Sequence, residues 1–306
     1  MYKNEVDKLV EDVSRNLLLS ANSYYKLGLS VFEETRAKAW TDFQPAIGNI
    51  SISIELLLKG VVAQKAFRLL YTNLPDEVSL LISYPEVLSE AHNSKSFISD
   101  LKTFTSKTID LDKSVSLFFH LYPELKQEFR PFLTSLSTVR NVSVHAAIPN
   151  YQKYELDRIV YYSTKLFAEV ANRSVFKFNL FKIPPKLNDF IKMYEDEKVK
   201  SVQSALDKAR KNLKKSKPYV PMILVDDWTE MGENCPICES LGIMTGETEF
   251  NSPADLHFLA ETFKCDHCGL ELEDYEEIDL AGMESTLDRS DELQEWFADK
   301  EYYYPE

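Results

Sequence analysis

Cys235, Cys238, Cys265 and Cys268 are the only cysteines in 306 residues, and they form two C-x-x-C pairs separated by 26 residues. Each pair is a tight turn that aims two sulfurs at one point. Two such turns together supply the tetrahedral thiolate set of a structural zinc ion. Pro236 and Gly269 suit the turns, and the interval between the pairs leaves room for a hairpin. Four thiolates leave a metal no open position, so the expected role is to hold a small module together, not to catalyse. Two disulfides, or a redox-active C-x-x-C, are the alternatives. The opening residues, MYKNEVDKLVEDVSRNLLLS, lack the apolar core of a secretory leader. A cytoplasmic, reducing location is therefore expected, which disfavours disulfides.

A second set of residues could act on a phosphodiester. In the segment from Phe132 to Ala147, Arg140 and Asn141 precede His145. On a helical wheel Phe132, Leu136, Val139, Ser143 and Ala146 gather on a core face. Arg140, Asn141 and His145 fall away from it, with Val144 between Arg140 and His145. A guanidinium stays charged and its planar fork matches phosphate oxygens. An imidazole titrates near neutrality and can serve as acid or base. A histidine near a helix C-terminus is also a common partner of the helix dipole, and an arginine can simply pair with a surface carboxylate. Glu55 and Lys59, four apart, form either an intrahelical ion pair or an accessory polar pair beside a cleft.

The order Arg140-Asn141-x-x-x-His145 near the end of a bundle helix resembles the R-x4–6-H motif of HEPN domains. In that family's ribonucleases a polar residue follows the arginine, the position of Asn141. The segment Ser53-Ile-Glu55-Leu-Leu-Leu-Lys59-Gly60 resembles the family's second helix, and a helix over 151–172 stands where the family has one. The resemblance covers roughly residues 10–180. It implies a metal-independent endoribonuclease acting as a homodimer with a composite active site, in which Arg140, Asn141 and His145 are catalytic. Products would be a 2′,3′-cyclic phosphate and a 5′-hydroxyl. It further implies a prokaryotic toxin or antiviral-defence effector, with an antitoxin or a phage-derived trigger as partner. The alternative is a catalytically silent HEPN dimer that regulates by binding protein or nucleic acid through its zinc module.

These residues need elements to position them. Hydrophobic residues make up 44% and charged residues 27%, the balance of a globular chain and not of a disordered one. No stretch approaches eighteen uninterrupted apolar residues, so no membrane partner is expected. Eight glycines, three of them in the first 231 residues, cannot build the phosphate-cradling loops of a dinucleotide fold or a P-loop ATPase. The expected fold is mainly α: an antiparallel helical bundle over 1–181, a basic linker helix over 182–217, and an acidic, zinc-ribbon-like α+β module over 218–306. Helices are expected over 13–40, 49–71, 94–105, 111–122, 124–147 and 151–172, with Pro131 kinking or restarting the fifth. Residues 182–217 carry 11 Lys+Arg against 5 Asp+Glu, and residues 218–306 carry 3 against 24. The basic run Lys208, Arg210, Lys211, Lys214 and Lys215 is a candidate RNA-binding stretch or a solvated helix face. The acidic module binds a basic partner, folds over that stretch, or keeps the chain soluble.

Overall fold

The computed structural model describes residues 2–35, 44–72, 108–145, 153–173, 185–213, 229–252 and 255–289. They are mainly helical, with a small antiparallel sheet and a cysteine cluster toward the C-terminus. The chain forms two compact units, Met1–Leu187 and Asn188–Glu306.

The first unit contains α1 (Tyr2–Thr35), α2 (Gln44–Ala66), α3 (Leu111–Leu121), α4 (Lys126–His145) and α5 (Lys153–Arg173). Helix α1 begins earlier than its sequence suggests, and residues 36–40 lie outside the described residues. The helix expected over 94–105 lies outside the described residues. At the centre is α2, which contacts α1, α3, α4 and α5. Apolar residues crowd more than one of its faces, as in a helix packed on several sides. The stretch Gln44–Leu70 has the length and mean hydropathy, 1.6, of a membrane span, yet 72% of its most apolar window is buried inside the protein. The α1–α2 pair is antiparallel: Gly28 abuts Ala46 and Ile50, and Gly60 abuts Leu18. A Cβ at Gly60 would sit 2.8 Å from the Leu18 side chain, so the small residue sets how closely the helices approach.

Buried hydroxyls tie α1 to α5. Tyr25, wholly buried, shares a 2.5 Å hydrogen bond with Thr164 and stacks on Phe167. Burial pushes the Tyr25 phenol up to about 12, so it remains a neutral hydrogen-bonding group at any physiological pH. Helix α4 follows a 3-10 turn, Pro123–Leu125, and runs through Pro131 without restarting. Its Phe129, Phe132, Leu133 and Leu136 are buried, a wider core face than the wheel indicated. Phe132 stacks on Tyr162 of α5. The Ser137 hydroxyl donates to the Asp112 carboxylate of α3 across 2.5 Å. These contacts fix the axis along which α4 carries its last two turns.

The second unit contains most of α6 (Pro185–Leu213), then β1 (Glu230–Asn234), β2 (Leu241–Ser252), β3 (Asp255–Cys265), β4 (Leu270–Leu272), α7 (Tyr275–Leu280) and β5 (Thr286–Asp288). The sheet is antiparallel in the order β1-β2-β3-β4, with β5 also paired to β3. The β2–β3 hairpin fills the interval between the cysteine pairs, as its length suggested. The backbones cross closely at a bulge beside Gly246, where a Cβ would meet the Leu259 carbonyl oxygen at 2.0 Å.

The described residues of segment 182–217 form α6, which packs on the core of the second unit. Val202, Leu206 and Ala209 of α6 share one core with Cys235, Met244, Phe258, Phe263, Cys265, Cys268, Leu270 and Ile278. The apolar stripe is hard to read because Lys198 interrupts it. That lysine is itself only 7% exposed and pairs at 2.7 Å with both Asp274 and Glu276. Asp274 also caps α7, accepting from the Glu277 amide. Burial would lower the Lys198 pKa, but the two carboxylates outweigh it and hold it above the usual 10.5. Its contribution to stability is therefore complete below that value and is lost only as pH rises through the higher folded pKa. Lys198→Met leaves two carboxylates facing a buried apolar group. The expected cost is about 3–5 kcal/mol in the unfolding of this unit. Arg210→Ala, at the exposed Arg210–Asp207 pair, is expected to cost less than about 0.5 kcal/mol. Denaturant titration followed by hydrogen exchange in β2 and β3 checks both values.

Candidate metal centre and the Arg140–His145 helix

Each cysteine pair sits at the tip of a hairpin. Asn234 and Leu241 pair on either side of Cys235–Ser240, and Cys265 pairs with Leu270 across the second turn. The two turns repeat one hydrogen-bond pattern. The Glu239 amide donates to the Cys235 carbonyl at 2.9 Å, and the Gly269 amide donates to the Cys265 carbonyl at 2.8 Å. Both donors follow the second cysteine of their pair and both are left-handed, with φ 59° and 71°. Glycine reaches that region without cost, whereas other residues lose roughly 1–2 kcal/mol there. Glu239→Gly is therefore expected to stabilise the unit by about 1 kcal/mol, read as a raised unfolding midpoint; a lowered midpoint would show that the Glu239 side chain supplies more than the strain removes.

The register Ile243↔Lys264 sets the start of β2 beside the end of β3, so the two tips lie side by side. The four sulfurs all fall within 4.8 Å of one another, a set that could hold a metal ion. Two approaches of 3.5 Å run between the turns: Cys235 to Cys268 and Cys238 to Cys265. All four are free cysteines in this structure. Four thiolates around a zinc ion at ~2.3 Å place their sulfurs about 3.8 Å apart, close to the separations found. As thiols, Cys235, Cys238 and Cys268 are unequal. Burial pushes Cys235 up to about 11 and Cys268 higher still. Burial also works to raise Cys238, but hydrogen bonds from Ser240, Cys265 and Cys235 leave it lowered. His267, inside the second turn, is not one of the clustered groups.

Helix α6 reaches this centre directly. Ala209 has no exposed surface and packs in the cysteine core, and the Asn212 side-chain amide donates to the Cys268 carbonyl at 3.1 Å. Sequence reasoning missed Asn212. A single polar residue near the end of a charged helix carries no signal until the helix is known to dock.

Of the candidate RNA-binding residues, Lys208, Arg210 and Lys211 are exposed on α6. Arg210 bonds to Asp207 on its own helix. Lys214 and Lys215 lie outside the described residues. Described residues of 229–289 pack on this helix through its apolar stripe and Lys198, and Lys208 and Lys211 are exposed.

In the first unit, Arg140, Asn141 and His145 occupy the last two turns of α4, and His145 ends it. Their side chains lie outside what the structure describes, as do those of Val139, Ser143 and Val144. Glu55 and Lys59 form the intrahelical ion pair, at 2.6 Å and largely buried. Lys59 also donates to Thr108 at 3.1 Å, linking α2 to the segment that leads into α3. Comparison of the chain with protein-family models, curated proteins and solved structures finds no match to any of them.

Proposed function

We propose that this protein is a metal-independent endoribonuclease of HEPN type, acting as a homodimer, with a structural zinc ion in its C-terminal unit. The observation that carries the reading is the placement of Arg140, Asn141 and His145 within two turns at the end of one helix, α4, whose earlier turns are anchored by Phe129, Phe132, Leu133 and Leu136. Anchored turns lend the following ones a defined direction, which acid–base and phosphate chemistry requires. Two copies of the set in one cleft supply both a base and an acid. One His145 takes the proton of a ribose 2′-hydroxyl, and the freed oxygen attacks phosphorus. The P–O5′ bond breaks, and the second imidazole gives its proton to the departing 5′-oxygen. Arg140 carries the negative charge that builds on the phosphoryl oxygens, and Asn141, one turn before His145, orients the imidazole or the RNA.

For the metal, a closed set of four thiolates favours a structural zinc ion. Cys235, Cys238, Cys265 and Cys268 would hold it, and when bound it would lock the two hairpin tips together. A role as a toxin or antiviral-defence effector is part of the proposal, as is an antitoxin or phage-derived trigger.

The experiment is to incubate the purified protein with total RNA in magnesium-free buffer and map the fragment ends. Cyclic 2′,3′-phosphates opposite 5′-hydroxyls are expected. Intact RNA from a folded dimer would favour the silent, regulatory alternative instead.

A further inference from the structure

The last described turns of α6 reach the metal centre and also carry exposed cations. Ala209 packs with Cys235, Cys265 and Cys268, and Asn212, itself exposed, reaches the same centre through its side-chain hydrogen bond to the Cys268 carbonyl. Their chain neighbours Lys208 and Lys211 are exposed. Neither lysine makes an ion pair among the described residues, although the same helix closes one between Arg210 and Asp207. The lysines are therefore free to meet an anion, and their placement depends on how firmly the end of α6 is held. What holds it is a core in which Cys235, Cys265 and Cys268 are 1%, 0% and 1% exposed, so the ligands themselves are packing residues.

We propose that the metal centre gates an RNA-backbone contact: with the ion bound, the last turns of α6 are docked and present Lys208 and Lys211 as a pair to a single-stranded phosphate backbone; without it, the docking and the contact are lost together. This rests on the reading of the protein as an RNA-cleaving enzyme and extends it to how substrate binding is regulated. The two lysines lie three apart, hence on one side of the helix and roughly one turn apart along it. The acidic residues of 218–306 repel phosphate, which restricts the contact to a few charges and makes it steeply salt-dependent. Asn212 is a positioning residue in this scheme: it touches no RNA and acts by tying the helix to the second cysteine turn. Outer contacts of this kind commonly change metal affinity by about tenfold or more.

The test uses the full chain, loaded with zinc or stripped by a chelator, and a fluorescent 20-nucleotide single-stranded RNA read by anisotropy over a salt series. The zinc-loaded protein is expected to bind. Lys208→Gln combined with Lys211→Gln should weaken binding and reduce the log–log salt slope by roughly 1.4, two phosphate contacts at ~0.7 each. Chelation should weaken the wild type to the level of that double variant and should not weaken the double variant further. Asn212→Ala should bind zinc about tenfold more weakly in competition with a chromogenic chelator, and should lose RNA binding at a correspondingly higher zinc concentration. Several results overturn the inference: an unchanged salt slope in the lysine variant, equal or tighter RNA binding after chelation, or losses from chelation and lysine removal that add. Cleavage of total RNA by the same preparations separates the two ideas. If the chelated protein and the double lysine variant cut as well as the zinc-loaded wild type, and cutting depends on His145, the gate fails and the nuclease reading stands. If RNA is neither bound nor cut, both fall.

Discussion

His145→Ala is expected to lower RNA cleavage by about 10²–10⁴-fold while leaving the bundle folded. The size of the effect follows from the chemistry. With an imidazole as both proton acceptor and donor across a two-fold cleft, a single substitution removes both roles at once. Water then has to perform proton transfers that a positioned group near neutral pKa performs far better. The fold should be indifferent, because His145 is the last residue of α4 and the anchoring residues Phe129, Phe132, Leu133 and Leu136 precede it by more than two turns. Cleavage of a labelled RNA, with circular dichroism as a check on helicity, is the measurement. Arg140→Ala in the same assay should lose activity chiefly through the chemical step, since a guanidinium that meets developing charge matters more in the transition state than in the bound substrate. A folded His145→Ala protein that cuts RNA at the wild-type rate would remove the acid–base scheme altogether.

Cys265→Ser, or prolonged chelation, should unfold the second unit and leave the first intact. Structural zinc sites contribute on the order of 10–16 kcal/mol to the folding of the elements that bind them. Isolated domains are stable by only about 5–15 kcal/mol. Three of the four cysteines belong to the core of the described residues of the second unit, beside Phe258, Phe263, Leu270 and Ile278. Loss of the ion therefore removes both the cross-link and part of the packing. Hydrogen exchange should show amides of β2, β3 and α6 losing protection together, with α1, α2 and α5 unaffected. Retained protection in β3 of the Cys265→Ser protein would mean that packing alone sustains the unit. Acid should act in the same direction as chelation. Cys235 in its thiol form titrates near 11, and an ion must displace its proton to bind, so the apparent metal affinity falls as pH falls.

Much of the metal centre is legible in the spacing. Two C-x-x-C pairs predict two turns, and an interval of 26 residues predicts the hairpin between them, because local chain geometry alone sets those features. The buried helix over 49–71 is equally legible: apolar residues crowded on more than one face have nowhere to go but the interior. The start of α1 was less so, since nothing in Leu-, Lys- and Glu-rich sequence marks where a helix must begin. Glu239 is an instructive case. No residue preference would place a glutamate at a left-handed position, and only the closing hydrogen bond of the turn requires it.

Segment 182–217 marks where local reading ends. From its own residues α6 looks like a solvated, basic spacer, because Lys198 breaks the apolar stripe of Val202, Leu206 and Ala209. The lysine belongs to that face only because Asp274 and Glu276, some seventy-five residues later, arrive to neutralise it. A sequence by itself determines what depends on neighbours along the chain: helix and hairpin periodicity, turn chemistry, and which side chains are available as ligands or acids and bases. Which distant groups meet is decided by tertiary packing, since the free energy of burying a charge or seating a helix end lies in partners that no local window contains.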